Sequence, residues 1–256
     1  MPGIDAQLEI LFEDDDLLVL NKPAGLVCHP TKSGESSSLI GRIRLHLARP
    51  GHLVNRLDRE TSGVTVAAKN SVTAGLLGKL WQGRAVEKEY LAIVHGVLTP
   101  DAGVIELPLG KDECSPVAIK DCVRPDGAAA RTEFQVEHRF CREGRDFTLV
   151  RVTPRTGRKH QIRIHLAALG HPVVGDKLYG GNEDYYLALV QNRLTPEDWR
   201  HLLLPHHALH ASSVRFLWNN TLRTFFAPPP EVFRHWSSVN LRPLQFPGMV
   251  PDSDGC

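Results

Sequence analysis

The sequence predicts an α+β fold, a predominantly antiparallel mixed β-sheet with flanking helices and loops. Three observations predict it. Strand-like segments cluster together in the chain instead of alternating one for one with helices. Turn residues separate most of them, as in antiparallel connections. Helical spacing is confined to a few segments.

Leu8 to Asn21 reads as two short strands joined across the acidic run Glu13-Asp14-Asp15-Asp16, before Asn21-Lys22-Pro23-Ala24-Gly25 breaks the pattern. Ser36 to Ala48 reads as a helix, with Leu39, Ile43 and Leu47 four apart and serines available as caps. Val64 to Ala68 is a strand directly after the loop that carries Asp58. Ser71 to Gly83 reads as a second helix on Val72, Leu76 and Leu80, weakened by Gly75 and Gly78 and stopped by Gly83. Ala85 to Gly96 alternates as a strand, with Val86, Lys88, Tyr90, Ala92 and Val94 on one face. Further strands are expected over Val104 to Leu109, Arg131 to Arg139 and Phe147 to Val152. Lys159 to Leu169 has helical spacing at Ile162, Leu166 and Leu169, and Gly170 can end it. Ala211 to Leu217 and Thr221 to Phe226 form a hairpin around Asn219-Asn220, because asparagine tolerates the left-handed turn conformation. Pro243 to Cys256 is rich in Pro, Gly, Asp and Ser and reads as a loosely ordered tail.

The chain has 256 residues and a formal net charge of +1, which argues against broad, purely electrostatic nucleic-acid binding. The five cysteines are scattered and form no Cys-x-x-Cys pair, so a reducing compartment is expected and zinc is not. His206, His207 and His210 lack ligands at metal-binding spacing and read as a polar loop entering a strand. No long apolar run and no signal-peptide pattern occurs, so a cytoplasmic protein without a membrane span is expected.

Two places concentrate chemistry. In Gly51 to Gly63, Asp58 stands between Arg56 and Arg59; nearby guanidinium groups favour the carboxylate anion, a usable nucleophile or base. The same residues also suit a salt-bridged surface turn. From Phe147 to Gly175 there is no acidic residue, while Arg151, Arg155, Arg158, Lys159 and Arg163 accompany His160, His165 and His171. This suits a phosphate backbone; the other reading is a solvated basic face. His160 and Arg163, three apart, share a helix face.

Four segments in order resemble the RluA-type family of RNA pseudouridine synthases. They are Leu20 to Val27, Asn55 to Gly63, Lys88 to Ala92, and Arg155 to Leu166 continuing to Gly175-Asp176 and Tyr179-Gly180; Leu209-His210-Ala211 resembles the family's C-terminal strand. The similarity runs from about Leu8 to Trp236. It implies the pseudouridine synthase fold around a central RNA-binding cleft and the isomerisation of uridine to pseudouridine, with no cofactor and no metal. By resemblance, Asp58 is the catalytic carboxylate, acting at C1′, at C6 or by promoting elimination. Tyr90 stacks on the target base, and Arg163 pairs with Asp58. Arg56 lies near the site vacated by the flipped nucleotide. Asn55 stands where the family usually has His, and both can donate a hydrogen bond. Asn55, Arg158, Lys159 and His160 are expected to contact substrate.

The family's N-terminal S4 domain has no room before Leu8, so a catalytic domain over 8–240 with a tail over 241–256 is expected. The expected partner is a ribosomal or transfer RNA stem-loop, bound by a monomer. Two rivals stand beside this reading. One is a non-catalytic RNA-binding or RNA-folding protein using the same cleft. The other is a hydrolase, which here lacks a G-x-S-x-G elbow and offers only Glu60 as a second carboxylate near Asp58.

Overall fold

A computed structural model describes residues 8–30 and 37–237. The expected tail over 241–256 lies outside the described residues. The chain runs β1 (Ile10–Glu13), β2 (Leu17–Lys22), α1 (Leu39–Leu47), β3 (His52–Leu53), β4 (Ser62–Ala68), α2 (Ser71–Gln82) and β5 (Val86–His95). It continues through β6 (Ala102–Ile105), β7 (Leu109–Lys111), β8 (Asp121–Val123), β9 (Thr132–Arg142), β10 (Arg145–Pro154) and α3 (Gln161–Ala168). Then follow α4 (Asp184–Val190), α5 (Pro196–Leu202), β11 (Leu209–Trp218), β12 (Thr221–Phe226) and α6 (Glu231–Ser237).

A ten-stranded sheet orders its strands β1-β2-β4-β11-β5-β10-β9-β6, with β12 added to β11 and β3 to β4. The β4–β11 contact, His210 opposite Ser62 and Ala211 opposite Gly63, is parallel; the sheet's other pairings are antiparallel. The α+β expectation therefore holds. All seven residues of β4 are buried, as expected of a strand covered on both faces. One core cluster joins β5, β10 and α3 through residues such as Ile93, Val150 and Leu166. A second joins β2, β4, α2, β11 and β12 through Val66, Leu77 and Phe216.

Local signals account for most boundaries. Ser38 and Asn70 accept backbone N–H bonds as N-caps of α1 and α2. Asn219 and Asn220 take φ of 49° and 60°, the left-handed pair a two-residue hairpin requires. Two expectations are corrected. The segment from Val104 to Leu109 is not one strand: β6 ends at Ile105, and β7 pairs with β8 in a separate two-stranded sheet. Pro108 stands at the break and has no N–H for a ladder. In α2 the buried stripe is Thr73 and Leu77, while Val72 and Leu76 face outward, 73% and 48% exposed. Adjacent apolar pairs made both registers readable, and Trp81, packed on Phe216 with ring centroids 5.3 Å apart, decides between them.

The Asp58 loop joins the sheet where β4 meets β11, and Gly63 makes that meeting possible. Its φ is +113°, and a Cβ there would lie 2.1 Å from the Ala211 carbonyl oxygen. Gly63→Ala is expected to destabilise the fold by about 3 kcal/mol or more, through a backbone clash added to a disfavoured φ. Urea denaturation checks this.

Candidate active site

A cleft of about 340 Å³ opens between the Asp58 loop, β5 and the turn from β10 into α3. Asn55, Arg56, Asp58, Tyr90, Arg158, His160 and Arg163 all line it. Lys159 is not among its lining residues; it turns to Asp121 in a 2.8 Å ion pair. A larger groove of about 530 Å³ lies against β12, lined by residues such as Phe12, Arg223 and Phe225 and by no carboxylate.

Asp58 is the centre of the cleft. Arg163 Nη1 donates to its Oδ2 at 2.8 Å. Arg163 is itself buried on α3, and its other donors form a fork onto Asp176, Nε to Oδ2 at 2.6 Å and Nη2 to Oδ1 at 2.8 Å. The Asp176 side chain is fully buried and also accepts the backbone N–H groups of Leu178 and Tyr179. The guanidinium lies 5.0 Å from the Tyr179 ring centroid. A bidentate partner leaves the guanidinium one direction in which to present a donor, and that direction points at Asp58.

Burial pushes the Asp58 carboxyl up. The charge of Arg163 and its hydrogen bond outweigh it and hold the group below the usual carboxylate range, with His160 and His207 adding to the effect where acid protonates them. Asp58 is therefore an anion at neutral pH. Burial likewise pushes Asp176 up, and Arg163 then brings it far below the ordinary range.

His160 Nε2 is 3.8 Å from Asp58 Oδ1, and its Nδ1 lies 2.9 Å from the Tyr179 hydroxyl. That hydroxyl accepts the N–H of Asp121, so its proton points to His160 Nδ1. The neutral tautomer with hydrogen on Nε2 follows, facing Asp58. Burial pushes the His160 ring down to about 4, against the pull of Asp58.

Tyr90 stands on β5, its strand neighbours Leu91, Ala92 and Ile93 buried in the core. Burial, and then the charge of Asp58, raise its phenol far above the ordinary range, so the ring is neutral. Asn55 clamps the loop to β4, donating to Val64 O at 3.3 Å and accepting from Val66 N at 2.7 Å. Arg56 is exposed at the cleft.

The loop is braced from below by residues distant in sequence. Fully buried Lys22 donates to the carbonyls of Pro23, Leu26 and Arg59. Arg59 Nε donates to Gly25 O at 3.2 Å, and Gly25 N donates to Arg59 O, which ties the first motif to the second. Arg59, to which the sequence assigns no role, is thus a loop tie. Glu60 takes Lys177 Nζ at 2.9 Å and the His207 N–H at 3.2 Å, so this second carboxylate is engaged away from the cleft. Thr61 and Ser62 bond the rings of His207 and His210 at 2.7 and 2.9 Å. The loop does lead into β11, with Pro205 exposed and His206 partly exposed, while His207 and His210 are buried braces. Asp176, Tyr179 and Lys177 were missed as site residues, although Asp176 and Tyr179 fall within the segments that resemble the family.

The acid-free stretch also reads differently in three dimensions. Arg151 pairs with Glu89 and Glu137, Arg155 with Glu133, and Arg163 with Asp58 and Asp176. Acids from other elements neutralise most of the run. Among the described residues no group of three His, Cys, Asp or Glu is placed to hold a metal ion, and no helix is long and apolar enough to cross a membrane.

Three buried rings make the fold acid-sensitive. Burial pushes His160, His207 and His210 each down to about 4, Arg163 adding to the effect at His207. The unfolded chain titrates near the ordinary value of 6.5, so it binds more protons than the fold between those values. Stability is therefore expected to fall as pH drops from about 6.5 to 4, by several kcal/mol in all. Urea midpoints at pH 7 and pH 4.5 measure it.

Fold and site together define a protein built around one guanidinium-held carboxylate in a sheet cleft. The model of the RNA pseudouridylate synthase family matches residues 16–168. The dual-specificity RNA pseudouridine synthase RluA of Vibrio parahaemolyticus is 38% identical over 231 residues, 89% of this chain and 85% of its own. An uncharacterized RNA pseudouridine synthase of Bacillus subtilis, YhcT, is 36% identical over 214 residues, 82% of this chain and 64% of its own. The structure of human RNA pseudouridylate synthase domain containing 1 superposes with a TM-score of 0.74 at 25% identity, covering 93% of this chain and 89% of that one. This chain belongs to the RluA-type family of RNA pseudouridine synthases. It spans 64%, 56% and 58% of the length of three bacterial relatives.

Proposed function

We propose that the protein is an RNA pseudouridine synthase that isomerises specific uridines in ribosomal or transfer RNA, with residues 8–240 as its catalytic domain. One observation carries the reading. Asp58 is a lone anionic carboxylate in a cleft, aimed by an arginine that a buried aspartate holds, with a neutral tyrosine ring in the same cleft.

The target uridine leaves its stack and enters the cleft. Tyr90 stacks on the base, a contact worth about 1–3 kcal/mol in comparable single-strand complexes. The C1′–N1 bond breaks and a C1′–C5 bond forms; C5 loses its proton and N1 gains one, so the reaction is redox-neutral and internally balanced. Asp58 starts it as the nucleophile or base. Arg163 keeps that carboxylate charged and oriented, and His160 places an N–H beside its second oxygen. Arg56 occupies the cleft rim, where the vacated position in the RNA would fall, and Arg158 offers charge to the strand. The working form proposed is a cytoplasmic monomer.

The engagement of Glu60 by Lys177 and His207 disfavours a two-carboxylate hydrolase. A non-catalytic RNA-binding protein would have no need of a carboxylate held ionised in the cleft. Tritium release from RNA labelled at uridine C5, with pseudouridine mapping in ribosomal and transfer RNA from cells with and without the protein, tests the proposal. Release with a mapped site supports it. RNA binding without release establishes the rival.

A further inference from the structure

The cations around the cleft fall into two groups. Arg163, Arg151, Arg155 and Lys159 each face a carboxylate within 2.8 Å. Arg56, Lys88 and Arg158 have no acidic partner among the described residues, and all three line the cleft. Of these, Lys88 has no role yet and the more constrained setting. It lies partly buried on β5, two positions before Tyr90 and so on the same face of the strand. Its Nζ reaches across to the turn between β10 and α3, 3.8 Å from where a Cβ on Gly157 would stand. Arg158 is the next residue of that turn. Burial pushes the Lys88 amine down, with no neighbouring carboxylate to offset it.

Lys88 and Arg158 line one cleft and neither is paired with a carboxylate among the described residues, which leaves positive charge on this side of it, strengthened by its low-dielectric walls. An anionic ligand offsets the desolvation of the Lys88 amine. Positions i and i+2 of a strand are about 6–7 Å apart at ~3.3 Å per residue. A nucleotide's base and its own phosphate are separated by one ribose, so a base on Tyr90 leaves its phosphate within reach of Lys88.

We infer that Lys88 holds the phosphodiester of the flipped nucleotide, a substrate-binding residue that works beside Tyr90. The inference rests on the RNA reading proposed above. Lysine suits it as a compact point charge on a flexible stem.

The test compares the wild-type protein with Lys88→Gln and Lys88→Arg in binding a fluorescein-labelled single-stranded uridine hexamer as salt is raised. Lys88→Gln is expected to weaken binding about 10-fold at low salt and to lower the slope of log K against log salt by about 0.7, the loss of one phosphate contact to a single strand. Lys88→Arg is expected to restore most of the affinity and the slope, because it keeps the charge. Thermal unfolding of each variant separates a binding loss from a folding loss. Wild-type affinity and slope in Lys88→Gln would overturn the assignment, as would weakened binding with an unchanged slope, which marks a packing role. If the wild-type protein converts uridine while either result holds, Lys88 alone is discarded. If the wild-type protein fails to bind the hexamer, the assignment falls, and pseudouridine mapping then decides the RNA reading separately.

Discussion

Asp58→Asn is expected to abolish pseudouridine formation, with a loss of about 10⁴-fold or more, because the substitution removes the charge that starts the reaction and leaves an amide that neither attacks carbon nor accepts a proton. The fold is expected to survive it. Arg163 keeps its two bonds to Asp176, so no guanidinium is left buried without an anion. Asp58 is partly exposed, its side chain 29% accessible, and the stability change is expected to stay within about 1 kcal/mol. RNA binding should persist, since Tyr90, Lys88, Arg56 and Arg158 are untouched. Tritium release, RNA affinity and a urea midpoint measured on one preparation separate the three effects. Full activity in the Asn variant would remove Asp58 from the chemistry and with it the proposed mechanism.

Asp176→Ala is expected to behave differently. Asp176 is fully buried and does not line the cleft, yet it takes two guanidinium donors and two backbone N–H groups. Removing it leaves a buried arginine with Asp58 alone, and breaking such a pair costs about 3–5 kcal/mol. The remaining guanidinium is free to rotate toward Asp58 and form a fork with it, moving the carboxylate off its line of attack. Loss of both stability and turnover is the expected result. Asp176→Asn, which keeps the size and one oxygen, should recover part of the stability but little activity. Equal recovery of both would show that Asp176 acts through folding alone. Asp176 contributes by aiming Arg163, so it is a positioning residue.

How much of this was legible in the sequence can be read from single residues. The strands over Ala85 to Gly96 and Thr221 to Phe226 followed from alternation and from Asn219-Asn220, because a two-residue period and a left-handed turn are properties of neighbouring residues. Helices α4, α5 and α6 were missed. Each has seven residues, too few for a face to repeat. The start of α5 was nevertheless written in Thr195-Pro196-Glu197-Asp198, which forms a capping box with Pro at the first turn. Asp58, Tyr90 and Arg163 were visible through motif resemblance, and the structure brings them to one cleft. Lys159 was grouped with them because it is basic and adjacent; its Asp121 partner lies 38 residues away and carries no local signal.

By itself the sequence determined most of the strands, the three longer helices, the α+β class and the family, since these depend on residue type and short spacing. Only the tertiary structure decided which charges are neutralised and which remain to act. Asp58 and Arg163 are 105 residues apart, and Thr61 and His207 are 146 apart. The sign and size of an electrostatic interaction follow from distance through space and from the burial of both groups. An acid-free run can therefore be almost wholly paired, and a buried aspartate outside the cleft can govern the one inside it.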